Sequence, residues 1–209
     1  MDTVRTHPYP EILYYHIARD AIETAKIEKE RMKQAQKLYE AIELSRVEQP
    51  IPKEAESNEP WWKMLQAVAT SMVFSALCLE TFINQEYEEH LSRHEMFEDF
   101  DNLSGEAKWR LLPLLLGSST TFDKSREPYQ TFHELIRTRN QRLVHFKPEK
   151  EGQPPRRTLK NQSEYWSNLI QNISLAERYL ACVEQMIQEL HRLTGGKTDV
   201  TRVLHGRGM

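Results

Sequence analysis

The chain contains few of the residues that mark disulfide scaffolds, metal centres or β-sheets. Its 209 residues include only 2 cysteines and 7 glycines, and no segment combines period-2 alternation with β-branched enrichment. Cys78 and Cys182 lie inside apolar helical segments rather than at paired loop spacings, which predicts buried thiols instead of a disulfide or a metal site. Reduced thiols, and an N-terminus without the pattern of a secretory signal, predict a cytoplasmic location.

The common catalytic motifs are missing as well. The sequence has no GxSxG, no P-loop, no GxGxxG after a strand and no acidic spacing that requires magnesium. His90, His94 and Glu98 stand four residues apart, a spacing that can bind a metal. Further carboxylates crowd the same segment and no HExxH is present, which favours a solvated acidic helix end. We therefore expect no metal and no cofactor.

Net charge is also low. The net charge is −3 and the pI is near 6.3, so the chain does not have the bulk positive charge of a general nucleic-acid binder. A local basic patch is still compatible with this net charge. Such a patch follows residue 145, where basic side chains outnumber acidic ones in a predicted loop. A phosphate backbone would be attracted there. The basic residues of this loop are Lys147, Lys150, Arg156, Arg157 and Lys160.

Helix-forming residues and helical periodicity are abundant, so the predicted fold class is all-α. Residues 1–46 form a long N-terminal helix that packs on the rest, and residues 47–60 form a linker with three prolines. Residues 61–194 form the helical bundle. Residues 195–209 begin with Gly195 and Gly196, which end the last helix of the bundle, and are predicted to be a loose tail.

The most hydrophobic segment, residues 64–83, is long enough to raise the question of a membrane span. It carries Gln66, Glu80 and several hydroxyl residues in a strongly polar chain, which favours a central buried helix of a soluble bundle instead. No membrane association is therefore predicted. Glu80 is the anomaly of this helix, because it places a carboxylate in the middle of an apolar face.

A second anomaly lies in the segment 132–145, FHELIRTRNQRLVH. Its apolar residues share one helical stripe, and Arg139 occupies the position on that stripe where another apolar residue is expected. A guanidinium held there costs several kcal/mol unless it finds a partner. Glu80 is the predicted partner across the core. The stripe consists of Phe132, Leu135, Ile136, Leu143 and Phe146.

His145 closes the same helix, because Pro148 pushes the residue before it out of the α region. The free carbonyl groups in the last turn of a helix carry partial negative charge, which favours the imidazolium form of a histidine there. A protonated histidine suits the role of proton donor. If the substrate is RNA, no metal is required. A histidine can move the proton of the 2′-hydroxyl or of the leaving oxygen while an arginine stabilises charge on the phosphorane.

Two segments together resemble the HEPN domain family. RNQRLVH, residues 139–145, resembles the family signature of an arginine, a polar residue and a following histidine, with five residues between Arg139 and His145. SALCLETFIN, residues 75–84, is similar to the family's helix with a buried Glu and a following Asn, here Glu80 and Asn84. The resemblance covers roughly residues 60–194. It implies an up-and-down antiparallel bundle of about five helices, commonly a homodimer with both signatures facing one cleft.

In many HEPN members the resemblance also implies metal-independent endoribonuclease activity, of a toxin or defence type. It gives catalytic roles to Arg139 and His145, and to Asn140 a positioning role. Glu80 and Asn84 would support the polar core. The implied partners are RNA, a second copy of the chain, and an antitoxin or nucleotidyltransferase that restrains it. The candidates for phosphate contacts are Arg142, Lys147, Arg156 and Arg157.

The alternative is a non-catalytic helical module that dimerises or binds a nucleotide or a protein, with His145 as a helix cap and Arg139 in a buried ion pair. On an unbroken helix Arg139 and His145 lie about 120° apart. They meet only if the helix unwinds, if the arginine stem reaches round, or if a second subunit completes the site. Otherwise Arg139 serves structure and Arg142, about 60° from His145, contacts the phosphate.

Overall fold

The computed structural model of the protein describes residues 9–45, 58–92, 102–144 and 172–204. Over these ranges the chain is helical and contains no strand, so the all-α bundle prediction is confirmed. The five longer helices are α1 (Pro10–Ser45), α2 (Glu59–Leu91), α3 (Gly105–Leu115), α4 (Tyr129–Thr138) and α5 (Ile173–Leu193). A π-helix, Arg139–Val144, continues α4, and a short helix, α6 (Thr201–Leu204), follows α5.

The two longest helices, α1 and α2, pack along each other in antiparallel directions. Near the start of α1, Tyr14 contacts Phe74 of α2 with ring centroids 5.5 Å apart, whereas Met32 further along α1 lines a groove with Trp61 at the start of α2. The first half of α1 is therefore part of the core. Its buried apolar residues are Tyr15, Ala18, Ala21, Ile22 and Ala25.

Helix α2 is the central helix. By length and composition alone it could cross a membrane, but the core helix of a soluble protein passes the same test. Of its most apolar stretch, 56% is buried against the other helices, which supports the core-helix interpretation. Of the predicted linker, residues 47–57 lie outside the described part of the chain, and α2 already begins at Glu59.

An aromatic cluster joins α2, α3, α4 and the loop before α4. Trp109 of α3 lies at its centre and is fully buried, with ring centroids 5.8 to 6.0 Å from those of Phe82, Phe122 and Phe132. Ser104 caps the start of α3, because its hydroxyl accepts a hydrogen bond from the Ala107 amide at 3.3 Å. These contacts set α3 and α4 on either side of the cleft described below.

Helix α5 runs antiparallel to both α4 and α1. It contacts α4 through the hydroxyls of Thr138 and Tyr179, 3.1 Å apart, and α1 through the 2.9 Å ion pair of Lys26 with Glu177. The described part of α5 begins at Ile173, and the residues directly before Asn172 lie outside the described ranges.

Both cysteines are buried free thiols, as predicted. Cys78 lies on α2 and Cys182 on α5. Burial raises the pKa of Cys182 to about 12 and raises the pKa of Cys78 even further from its usual range. Both groups are therefore protonated and act as small apolar side chains at neutral pH.

The prediction of a loose tail is wrong for residues 195–204. Gly195 and Gly196 adopt φ values of +65° and +85° and turn the chain back onto the bundle. His191 Nδ1 then lies 2.7 Å from the Thr198 carbonyl, and Val203 is buried. Local periodicity could not reveal this contact, because the segment is too short to show a helical pattern and is held by tertiary packing.

Candidate functional site

A cleft of about 310 Å³ opens where α2, α3, α4 and the π-helix meet. Its floor is apolar, formed by Trp109, Phe132 and Ile136. Its rim is polar and carries both charge signs. The rim residues are Glu80, Ser104, Gly105, Glu106, Arg139 and Asn140.

The π-helix places two signature residues on this rim. Helix α4 ends at Thr138, and Arg139 and Asn140 are the first residues of the wider turn. Arg139 Nη1 donates a hydrogen bond to Asn140 Oδ1 at 3.0 Å, so the two side chains act as one polar unit. Single π-turns within helices are frequently found at functional sites.

Arg139 also contacts Glu80, as the sequence predicted. The distance between Arg139 Nη2 and Glu80 Oε2 is 3.3 Å. The pair differs from the expected buried ion pair, because the side chain of Glu80 is 43% exposed and that of Arg139 is 23% exposed. Glu80 lies at the edge of the apolar face of α2, where the helix borders the cleft, and water therefore still reaches its carboxylate.

Arg139 retains unused hydrogen-bonding capacity. A guanidinium has five N–H donors, and the two contacts above are made by different terminal nitrogens. Its Nε is buried and has no hydrogen-bond partner in the described part of the chain. The group is thus positioned from two sides while further donors remain for a ligand.

Asn84 was expected to share a polar core with Glu80, but its side chain is not buried. Asn84 is exposed, and its Oδ1 accepts a hydrogen bond from Lys108 Nζ at 3.0 Å. Lys108 itself is buried, with its ammonium 5.7 Å from the centroid of the Tyr87 ring. Asn84 therefore ties α2 to α3 at the surface and is absent from the lining of the cleft, because one further helical turn carries it past the rim.

Sequence reasoning missed Glu106, the second carboxylate of the cleft. It lies in the first turn of α3, and its Oε1 is 3.0 Å from His133 Nδ1 on α4. The available signal was its position just after the Ser104 N-cap, where acidic residues are favoured for their effect on the helix dipole. That signal indicates a helix start and says nothing of a cleft, which exists only because α3 packs against α4.

The other predicted site residues fall outside the described structure. Arg142 belongs to the π-helix, but its side chain is outside the described part, and so are the whole residues His145, Lys147, Arg156 and Arg157. Val144, the residue directly before His145, is the last described residue of this segment.

The histidine spacing on α2 is only partly described. His94 and Glu98 lie outside the described ranges, and His90 Nε2 is 3.4 Å from the buried carboxylate of Glu86, one turn earlier. Among the described residues, no three histidine, cysteine or acidic side chains are grouped so that they could hold a metal ion.

Comparison with known proteins adds no family or fold neighbour. No family model, no curated protein and no solved structure matches the chain. The resemblance to HEPN domains therefore depends on the two sequence segments described above.

Proposed function

We propose that the protein is a HEPN-like endoribonuclease that cleaves RNA without a metal ion. The observation that carries this proposal is the placement of Arg139 and Asn140 together on the rim of a cleft, joined by a 3.0 Å hydrogen bond. His145 follows five residues after Asn140 in the same signature. A cation, an amide and a histidine in one segment form a set that can act on a phosphodiester.

In the proposed reaction the 2′-oxygen of a ribose attacks the neighbouring phosphorus. The bond from phosphorus to the 5′-oxygen of the next nucleotide breaks, which leaves a 2′,3′-cyclic phosphate and a 5′-hydroxyl. His145 removes the proton of the 2′-hydroxyl or supplies the proton to the leaving oxygen. Arg139 stabilises the charge that develops on the phosphorane oxygens through donors not used by Glu80 and Asn140.

A second copy of the chain is part of the proposal. One histidine cannot accept and donate a proton in the same step, so the other proton transfer needs a second group, such as the histidine of a twofold-related subunit. The basic residues Arg142, Lys147, Arg156 and Arg157 are the proposed phosphate contacts outside the cleft. Buried reduced thiols fit a cytoplasmic location.

One observation favours the second candidate, a non-catalytic helical module. Glu80 engages Arg139, and a guanidinium that is neutralised by a carboxylate is a weaker phosphate ligand than a free one. In that module Arg139 would fix the end of α4 against α2, and the cleft would bind a ligand without cleaving it.

The deciding experiment incubates the purified chain with single-stranded and structured RNA in the presence of EDTA. We expect cleavage that yields 2′,3′-cyclic phosphate ends in the wild type and a loss of at least about 100-fold in His145→Ala and Arg139→Ala. His16→Ala and Arg126→Ala remove the same side-chain types at positions far from the signature, on α1 and in the loop before α4, and should keep full activity.

Activity that disappears in EDTA, or that persists in His145→Ala, would reject the proposed mechanism. Absence of cleavage by wild type with all substrates would favour the non-catalytic module. Light scattering of the same samples tests the second subunit, because a strict monomer would have no partner histidine for the second proton transfer.

A further inference from the structure

The charge of the cleft favours a nucleobase over a phosphate. Among the described residues that line it, two carry carboxylates, Glu80 and Glu106, and one carries a guanidinium, Arg139, which is already paired with Glu80. A phosphate placed inside would face a rim with more negative than positive charge. A neutral ligand with hydrogen-bond donors would instead find acceptors on two sides.

The size and floor of the cleft fit a single nucleoside. Its volume of about 310 Å³ lies at the lower end of the range for small-molecule sites. The floor is apolar: Trp109 and Phe132 are buried and Ile136 is partly exposed, so a base in the cleft would pack mainly against Ile136. The polar groups are confined to the rim, where the edge of a base would lie.

The donor and acceptor pattern selects among the four RNA bases. Glu106 uses one oxygen for His133, and a carboxylate can accept several hydrogen bonds. Because Asn140 Oδ1 accepts from Arg139, the amide NH₂ group is the end left to donate. Guanine matches this set, since its Watson–Crick edge has two adjacent donors, N1–H and the N2 amine, next to the acceptor O6.

We propose that the cleft binds a guanine base, with Glu106 accepting from N1–H and the N2 amine and Asn140 donating to O6. The proposal that a base binds here depends only on the size, lining and charge of the cleft. Its consequence for cleavage, a preference for single-stranded RNA next to guanosine, rests on the proposed nuclease function.

The test is equilibrium dialysis of the full chain against labelled guanosine, inosine, adenosine, cytidine and uridine. Guanosine should bind at least about tenfold more tightly than adenosine, as for a good bidentate base contact. Inosine keeps N1–H and O6 but lacks the N2 amine, so its affinity should be intermediate. Equal affinities for all nucleosides, or no binding of guanosine, would overturn the proposal.

Two variants assign the contact. Glu106→Gln replaces one acceptor oxygen by a donor and should remove the preference for guanosine. Glu134→Gln is the matched control, since this exposed glutamate of α4 pairs with Arg178 and does not line the cleft. If Glu106→Gln does not fold by circular dichroism, Asn140→Asp serves instead, because its carboxylate would repel O6. A folded variant of either kind that keeps the wild-type preference would refute the assignment.

Mapping of cleavage sites separates this inference from the proposed function. Guanosine binding without any RNA cleavage would keep the base site and reject the nuclease. Cleavage without guanosine binding, and without enrichment of guanosine beside the cut, would support the nuclease and reject the guanine site.

Discussion

Glu80 and Arg139 connect the central helix to the π-helical segment, with Arg139 Nη2 3.3 Å from Glu80 Oε2. The contact brings together residues from the two segments that carry the family resemblance, 75–84 and 139–145. Because Arg139 also donates a hydrogen bond to Asn140, one guanidinium connects Glu80 of α2 to Asn140 of the π-helix. The pair therefore bears on stability and on the site at once.

The Glu80 and Arg139 pair should contribute modestly to stability. We expect a double-mutant cycle of Glu80→Gln and Arg139→Met to give a coupling of about 0.5–1 kcal/mol, because both side chains are partly solvated. Urea unfolding measures it. The exposed pair of Glu59 and Lys63 is the control and should couple more weakly, because both side chains are fully solvated. A coupling of several kcal/mol would instead indicate the fully buried pair that the sequence suggested.

Two leucines on α3 allow a matched test of the core beside the cleft. Leu112 is completely buried, whereas Leu114, two residues later, is 44% exposed. Leu112→Ala should lower the free energy of unfolding by about 2–5 kcal/mol through lost burial and a cavity. Leu114→Ala should cost less than about 1 kcal/mol. Equal losses in urea unfolding would show that α3 is packed differently.

The C-terminal segment should be coupled to the bundle. Val203 is buried against it, so Val203→Ala should reduce the free energy of unfolding by about 1–2 kcal/mol. The measurement is the urea midpoint at constant slope. Thr201→Ala changes an exposed neighbour whose contacts are local to Asp199 and should have a smaller effect. An unchanged free energy of unfolding in Val203→Ala would instead support the prediction of a loose tail.

The two buried thiols make stability depend on alkaline pH. Burial raises the pKa of Cys182 from its ordinary value of 9.0 to about 12. The stabilisation that follows is complete below about pH 9 and is lost as pH rises toward 12, since only the unfolded chain releases the proton in that window. At about pH 10.5 each such thiol should lower the free energy of unfolding by roughly 2 kcal/mol.

Urea unfolding at about pH 8 and pH 10.5 measures this loss, and Cys182→Ala should make the difference between the two pH values smaller. A thiol reagent such as DTNB gives an independent check. Both cysteines should resist it at pH 8 in the folded chain and react fully in urea. Rapid labelling of the native protein would contradict their burial.

Several features could be predicted from the sequence because they are set locally. Helical periodicity predicted the all-α class, and the apolar surroundings of Cys78 and Cys182 predicted buried thiols. The Glu80 and Arg139 contact was also predicted, because each was a charge on an otherwise apolar stripe and the two signs are opposite.

The features that escaped prediction depend on residues distant in sequence. Glu106 became a cleft residue only through the packing of α3 on α4, and Val203 became buried only through the turn at Gly195 and Gly196. Glu80 and Asn84 are also more exposed than the sequence pattern predicted. Periodicity identifies the apolar face of a helix but not where a neighbouring helix stops covering that face.

The sequence by itself determined that this chain is helical and that a charged signature interrupts the apolar stripe ending α4, because both are patterns of neighbouring residues. Tertiary structure decided that the signature's first two residues lie on the rim of a cleft whose described lining also carries the carboxylates of Glu80 and Glu106. A cleft is the space left between helices, and its shape and charge depend on how those helices pack rather than on the periodicity of any one of them.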